Sequence, residues 1–418
     1  MPKPNLLIYG HYYPPDVAAT GQLLKELAEG LLSDFNVSVI CTVPSYTGKI
    51  PAKYRRHKYF HENMGEVRLL RIRVPEFRKD FMPSRLYNIS SYFFSAISAT
   101  FQLGDVDVVF AISQPPILGG LLGRMGKRIK KAKLVYNIQD FNPEQSQAVG
   151  VGSSKLTYKV FRKMDTDTCK ASDLITVVGR DMEGTLKDRF QSGDVPRYIC
   201  IQNWAREREL LPLSKEHEKV VSFLEKNNLK GKFILMYSGN LGLYYDLENI
   251  LPVIALALKK NSDAVFCLVG DGSVKQKLEK IVKERDYQNV RFLPYQQREE
   301  LMYSLNAANA HLVVSAKGIR GVSVPSKLYG VMAVGKPILG VLEEGSEGYL
   351  TIEEAACGLL SAPGDLDSLK NNITQMLDSE AEQKLHQMGE KGREYLLSHI
   401  TMEGQVKKYR QALKSVLS

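Results

Sequence analysis

The sequence predicts an α/β protein of two Rossmann-like, doubly wound domains facing a central cleft. Three observations carry that prediction. Short apolar runs alternate with helix-patterned stretches through the first half. A polar, charge-rich piece at residues 206–219 interrupts the alternation, after which the plan begins again. Loops bearing glycine or acids follow the apolar runs, and open parallel sheets bind ligands there, beyond the carboxyl ends of their strands.

Taken in order, residues 6–9 read as a buried strand and 23–32 as an amphipathic helix. Strands follow at 37–43, 106–112, 134–138 and 174–178. The second half gives strands at 233–237, 264–269, 290–292, 311–314 and 338–342, with helices at 247–260, 273–284 and 298–308 between them. The expected domains are 1–205 and 206–395, with a terminal helix in 396–418 returning to the first.

With 418 residues, 44% hydrophobic and 24% charged, the chain belongs to the globular class and is too long for one core. It has no apolar window long enough to span a bilayer, and its first residues lack a signal-peptide pattern. The five cysteines are scattered without metal-ligand spacing, as expected of reduced thiols in a cytosolic protein. Net charge is uneven. Residues 1–205 hold 28 Lys and Arg against 19 Asp and Glu, whereas 206–418 hold 28 against 27. A polyanionic surface or ligand on the first domain is implied.

Residues 315–339, SAKGIRGVSVPSKLYGVMAVGKPIL, are the most informative stretch. A strand leads into a loop with Gly318, Arg320 and Gly321, and a helix opens near Pro325 and stops at Gly335. Free N–H groups at a helix start, with Lys317, Arg320 and Lys327 nearby, suit a diphosphate; a plain strand–loop–helix with solvated lysines is the alternative.

The loop GHYYPPDVAATGQ at 10–22 is not a dinucleotide fingerprint, and no acid ends the second strand, so a nicotinamide enzyme is disfavoured. Its His11 is either an acceptor ligand or a surface loop residue, and Gly21 could approach a ligand closely. YNIQDFNPE at 136–144 presents Asp140, Asn142 and Glu144 at a strand end, for orienting a hydroxyl nucleophile or for capping a helix. YSGNLG at 237–242 and LVGDG at 268–272 can turn backbone N–H groups toward a phosphate or can be ordinary turns. The Asp105–Asp107 and Asp165–Asp167 pairs are poorly placed to hold a metal. Residues 49–85, with aromatics among eleven Lys or Arg, then the aromatic stretch 86–103 and KRIKKAK at 127–133, fit an anionic leaflet; no nucleic-acid motif accompanies them.

Together with IQNWA at 201–205 and the run VPSKLYGVMAVGKPILGVLEEGSE, these stretches resemble the retaining GT-B glycosyltransferases of family 4, most closely the subgroup around O-antigen L-fucosamine transferases. The resemblance spans nearly the whole chain. It implies transfer, with retention, from a nucleoside-diphosphate sugar, UDP first among candidates. The acceptor would be polyprenyl-diphosphate-linked or another glycan, and the reaction would need no metal and no further cofactor. Asp140 and Lys327 would flank the reacting centre. Gly239, Asn240 and Lys327 would surround the diphosphate, with Arg320 as a helper and Gly21 near the donor phosphate; Gly242, Gly270 and Ser326 would also bind the donor. Arg291 and Tyr295 would hold the base, and Gly318, Gly321, Val322 and Ser323 would lie over the sugar. His11, Asp16, Gln139 and Glu144 would meet the acceptor. The place implied is cytoplasmic and peripheral, at the inner face of the cell membrane, with no nucleic-acid partner.

The sequence departs from the family where many members carry a spaced pair of glutamates, since Val322 and Gly330 stand there. Glu343, Glu344 or Glu347 would then take over the ribose contact, and Asn240 and Tyr245 replace a usual arginine and lysine. The alternatives are a nucleotide-sugar 2-epimerase and a degenerate, non-catalytic membrane scaffold.

Overall fold

The computed structural model describes residues 2–78, 81–150, 154–190 and 193–418. Strands β1 (Asn5–Tyr9), β2 (Asn36–Thr42), β3 (Tyr59–Met64), β4 (Val67–Ile72), β5 (Val108–Ile112), β6 (Lys133–Ile138), β7 (Leu174–Val177) and β8 (Tyr198–Cys200) form one sheet, ordered β3-β4-β2-β1-β5-β6-β7-β8. Only β3 runs antiparallel, against β4. Strands β9 (Phe233–Ser238), β10 (Ala264–Val269), β11 (Val290–Leu293), β12 (Ala310–Val314), β13 (Ile338–Val341) and β14 (Gly358–Ser361) form a parallel sheet ordered β11-β10-β9-β12-β13-β14.

This is the expected pair of doubly wound units. Strands such as β5 and β10 are buried at every residue, which is why they read as unbroken apolar runs. Strand order reverses at β1 and at β9, so the loops after these two strands occupy the switch points where such sheets take ligands.

The β3–β4 hairpin, β8 and β14 were not foreseen. Strand β3 (YFHENM) is a polar edge strand with little periodic signal. The hairpin also corrects the reading of residues 49–85 as surface. Arg71 is fully buried, donating to Glu62, to the Thr42 carbonyl and to the Pro14 carbonyl at 2.6 Å, and Tyr54 is buried as well. Lys79 and Asp80 of that cluster lie outside the described residues. In KRIKKAK, Lys127 pairs with Asp173 and Lys130 donates to the Leu103 carbonyl, so part of this run anchors the fold.

The chain crosses between the sheets at Ala205, which bridges Thr401 where it comes back. The helix Met402–Lys414 then packs on the first unit. Tyr409 is buried beside Phe110 and Trp204 and accepts a 2.9 Å bond from Asn137, and Arg410 donates to the Gly30 carbonyl. Among the described residues no helix is long and apolar enough to cross a membrane.

Candidate functional site

The loop after β12 ends in the helix Lys327–Ala333, which stops at Gly335 in the left-handed conformation (φ +64°). The first residue of this helix is the centre of the site. Lys327 Nζ lies 3.7 Å from the centroid of Tyr237 and 4.1 Å from that of Tyr245, and donates to Tyr237 Oη at 2.5 Å. Among the described residues no acid offsets its charge, so burial alone holds its pKa well below the usual lysine range. A cation partly withdrawn from water onto two aromatic faces gains when an anion joins it.

The loops around it need glycine. Gly239 and Gly270 both have φ +142°, and a Cβ at Gly270 would fall 2.0 Å from the Gly239 carbonyl oxygen. A Cβ at Gly239 would fall 3.4 Å from Lys327 Nζ, so the backbone passes directly over the ammonium. A Cβ at Gly242 would crowd the Asn240 amide, and the Asn240 carbonyl accepts from Tyr237 Oη at 2.6 Å. Gly239, Asn240, Gly242, Gly270 and Lys327 are thus brought together. Tyr237 was missed as a site residue, since a tyrosine near a strand end carries no signal of its own, whereas Tyr245, in the turn after β9, is the residue noted above in place of a usual lysine.

Asp140, at the end of β6, meets this group from the other unit. Its Oδ1 accepts from Ser323 Oγ at 2.5 Å and from Gln145 at 3.0 Å, and Asp140 and Ser323 form a β-bridge. Phe141 N donates to the Val322 carbonyl at 2.9 Å. Burial raises the Asp140 pKa despite these bonds, and the same carboxylate helps burial push Tyr245 up to about 12. Loop 316–323 is pinned on every side. Ala316 N donates to the Tyr244 carbonyl, Gly318 N and Arg320 N to Glu343, and Gly321 N to Asp181 at 2.7 Å.

Several other candidate residues are engaged elsewhere. The missing side chain of Gly21 makes room for the Tyr12 carbonyl, 2.9 Å from where its Cβ would stand, and that contact accounts for the glycine. Asp16 accepts the backbone N–H groups of Ser45 and Tyr46 and shapes the loop after β2. Gln139 is bonded to Asn137 and Asn203. Glu144 pairs with Arg189, a residue the sequence reading did not single out. Arg291 donates to the Gln288 and Val290 carbonyls at the edge of the second sheet, while Tyr295 and Ser326 are exposed. Arg320 lies against Gly345, and Val322 is buried. A Cβ at Gly330 would meet only Leu210 and Leu305 side chains, at 3.9 and 4.0 Å.

His11 is not the surface residue allowed for above. It is buried, stacked on Tyr12 and near Tyr92, with Nε2 lacking a partner, and burial lowers its pKa to about 4.

Of the three glutamates considered for the ribose, Glu343 caps loop 318–320 and Glu347 is withdrawn altogether. Glu347, wholly buried, accepts from Arg180 N, from both Arg180 Nε and Nη2, from Gln202 and from Thr351. It ties the end of β7 to the helix Glu347–Glu354 of the other unit. Glu347→Ala is expected to lower stability by about 2 kcal/mol in urea unfolding; Arg180, which is partly exposed, regains water, but several buried donors lose their acceptor.

Comparison with known proteins agrees with this architecture. Residues 222–395 match the family model described as Glycosyl transferases group 1. A Pseudomonas aeruginosa protein named as a glycosyltransferase, WbjE, is 29% identical over 355 residues, covering 83% of this chain and 84% of its own. WcaI of Escherichia coli K12, named as a colanic acid biosynthesis glycosyl transferase, is 24% identical over 394 residues, covering 89% and 92%. The crystal structure of HepE from Anabaena, in complex with UDP and glucose, superposes with a TM-score of 0.71 at 13% identity, over 98% of this chain and 99% of that one. The matched second domain, the two relatives and the shared two-sheet architecture lead to one conclusion: residues 222–395 form a group 1 glycosyl transferase domain, and the chain is a glycosyltransferase of the GT-B fold.

Proposed function

We propose that the protein transfers a sugar, with retention, from UDP-sugar to a polyprenyl-diphosphate-linked or polysaccharide acceptor in surface-glycan assembly. The observation that carries this reading is Lys327, a half-buried ammonium under the Gly239 backbone with two tyrosine rings and no acid beside it. A diphosphate supplies the missing negative charge. In this reading Lys327 and the Gly239–Asn240 backbone stabilise the charge that builds on the leaving phosphate. Asp140 orients the acceptor hydroxyl once Ser323 yields its carboxylate, and buried His11 offers its unpartnered Nε2 toward the acceptor side. With no carboxylate assigned beneath the sugar in this reading, front-face attack assisted by the departing phosphate is the simplest route. The resemblance to fucosamine transferases makes N-acetylated amino sugars the first donors to screen, and the name of WcaI supports the surface-glycan setting. The positive first domain suits an anionic, lipid-linked acceptor.

Calorimetric titration with UDP tests the reading and predicts its pH dependence. The Lys327 pKa is depressed in the free protein and rises when the diphosphate binds. Binding therefore takes up a proton wherever the pH lies between those two values, and affinity falls as pH rises through that window. Titrations in buffers of different ionisation enthalpy measure the uptake. Absence of UDP binding, or binding with no uptake across the alkaline range, contradicts the assignment.

A further inference from the structure

We propose that the helix Met82–Phe101 lies flat in the interfacial layer of an anionic bilayer, aromatic side down, and hands a lipid-borne acceptor to the cleft at its first turns. This deepens the lipid-linked acceptor reading and rests on it.

The helix is in part inverted for water. Its most buried face holds Asn88, Ser95, Ala96, Ala99 and Thr100 around Tyr92, with Phe93 and Ile97 half-buried against the core. Its outward face carries Tyr87, Phe94 and Phe101, each two turns from the next and 67%, 69% and 67% exposed. Leu86 and Met82 extend the same exposure at the N-terminal end. The inner polar groups are satisfied: Asn88 donates to the Pro75 carbonyl at 2.7 Å, and Thr100 bonds Tyr9 and the Ala96 carbonyl. The inversion is therefore a stable feature of the fold. Three large rings left in water forfeit burial that an apolar phase would return.

Charge indicates which phase. The helix contains one charged residue, Arg85, and Lys58 reaches its middle through Ser91. At its far end Lys130 holds the Leu103 carbonyl, with Arg128 exposed on the same neighbouring helix, Leu118–Lys130, and Lys131 exposed just past its end. The next helix on that side, Lys155–Ala171, exposes Leu156, Val160 and Phe161. Aromatic and aliphatic side chains interleaved with cations fit anionic headgroups over acyl chains. A second copy of this chain would set one basic face against another. The cleft lies toward the near end. The charge of Arg85, in the first turn, acts on the phenols of Tyr12 and Tyr46, and the His11 ring lies 4.8 Å from that of Tyr92 at mid-helix.

The test is sedimentation of the full chain with sucrose-loaded vesicles of equimolar phosphatidylglycerol and phosphatidylcholine. The wild type is expected to partition onto these vesicles, less so at high salt and less onto pure phosphatidylcholine. Tyr87→Ser/Phe94→Ser/Phe101→Ser is expected to weaken partition by at least about tenfold, with circular dichroism and UDP binding unchanged. If that variant misfolds, Phe94→Trp serves. The one native tryptophan, Trp204, is buried, so quenching of the new emission by bromine-labelled lipids reports insertion. Equal partition of the triple variant, an unquenched Trp at 94, or a lipid-free dimer that the triple variant dissolves would overturn the proposal. Loss of UDP binding by the wild type would count against the donor reading and leave this one standing.

Discussion

Lys327→Met is expected to cut turnover by about 10²–10³-fold, the usual cost of removing one charge stabiliser from a leaving group, while the free protein keeps or gains stability. Both signs follow from the same geometry. In the free protein the ammonium is partly withdrawn from water and given two rings and a hydroxyl. Methionine fills the same space with no charge to desolvate. Tyr237 loses a donor but still donates to the Asn240 carbonyl, so no buried hydrogen is stranded. When a diphosphate leaves, the variant has nothing to meet the new charge. Steady-state release of UDP from a competent donor, with thermal melts of the free protein alongside, checks both halves. Near-normal turnover would remove Lys327 from the chemistry.

Arg189→Ala is expected to lower stability by about 3–5 kcal/mol, the range for breaking a buried ion pair from one side. Its guanidinium is wholly buried, pairing with Asp165 and Glu144, donating to the Asn142 carbonyl at 3.0 Å and lying 4.5 Å from the Phe141 ring centroid. Among the described residues, alanine leaves the buried Asp165 carboxylate with only the Tyr136 hydroxyl, while Glu144, partly exposed, keeps Arg162. Since Phe141 and Asn142 directly follow Asp140, activity should fall beyond what the unfolded fraction explains. Denaturant unfolding with activity assayed well below the midpoint separates the two effects. Arg189→Lys cannot reproduce the forked donation and is expected to rescue little.

The two-sheet plan was legible because central parallel strands are apolar on both faces, so β5, β10 and β12 announce themselves. The glycines of the two loops above Lys327 were legible for a similar reason: only glycine tolerates the backbone there. What could not be read was partnership over distance. Nothing local tells that Glu144 belongs to Arg189 or Glu347 to Arg180, or that Asp16 serves the backbone at Ser45. Each acid looked available for chemistry until the fold supplied a closer donor. Lys327 was chosen for its charge near a helix start. Its strength as a candidate comes instead from Tyr237 and Tyr245, contributed by another strand and the loop after it.

The Tyr409 contact carries a consequence for biosynthesis. The first unit leaves the ribosome before the second, yet the pocket between Phe110 and Trp204 stays open until residue 409 has been translated. The first unit must wait for the whole of the second before its packing closes. During that interval an apolar hollow is exposed on the nascent chain, until the helix that seals it follows the second sheet.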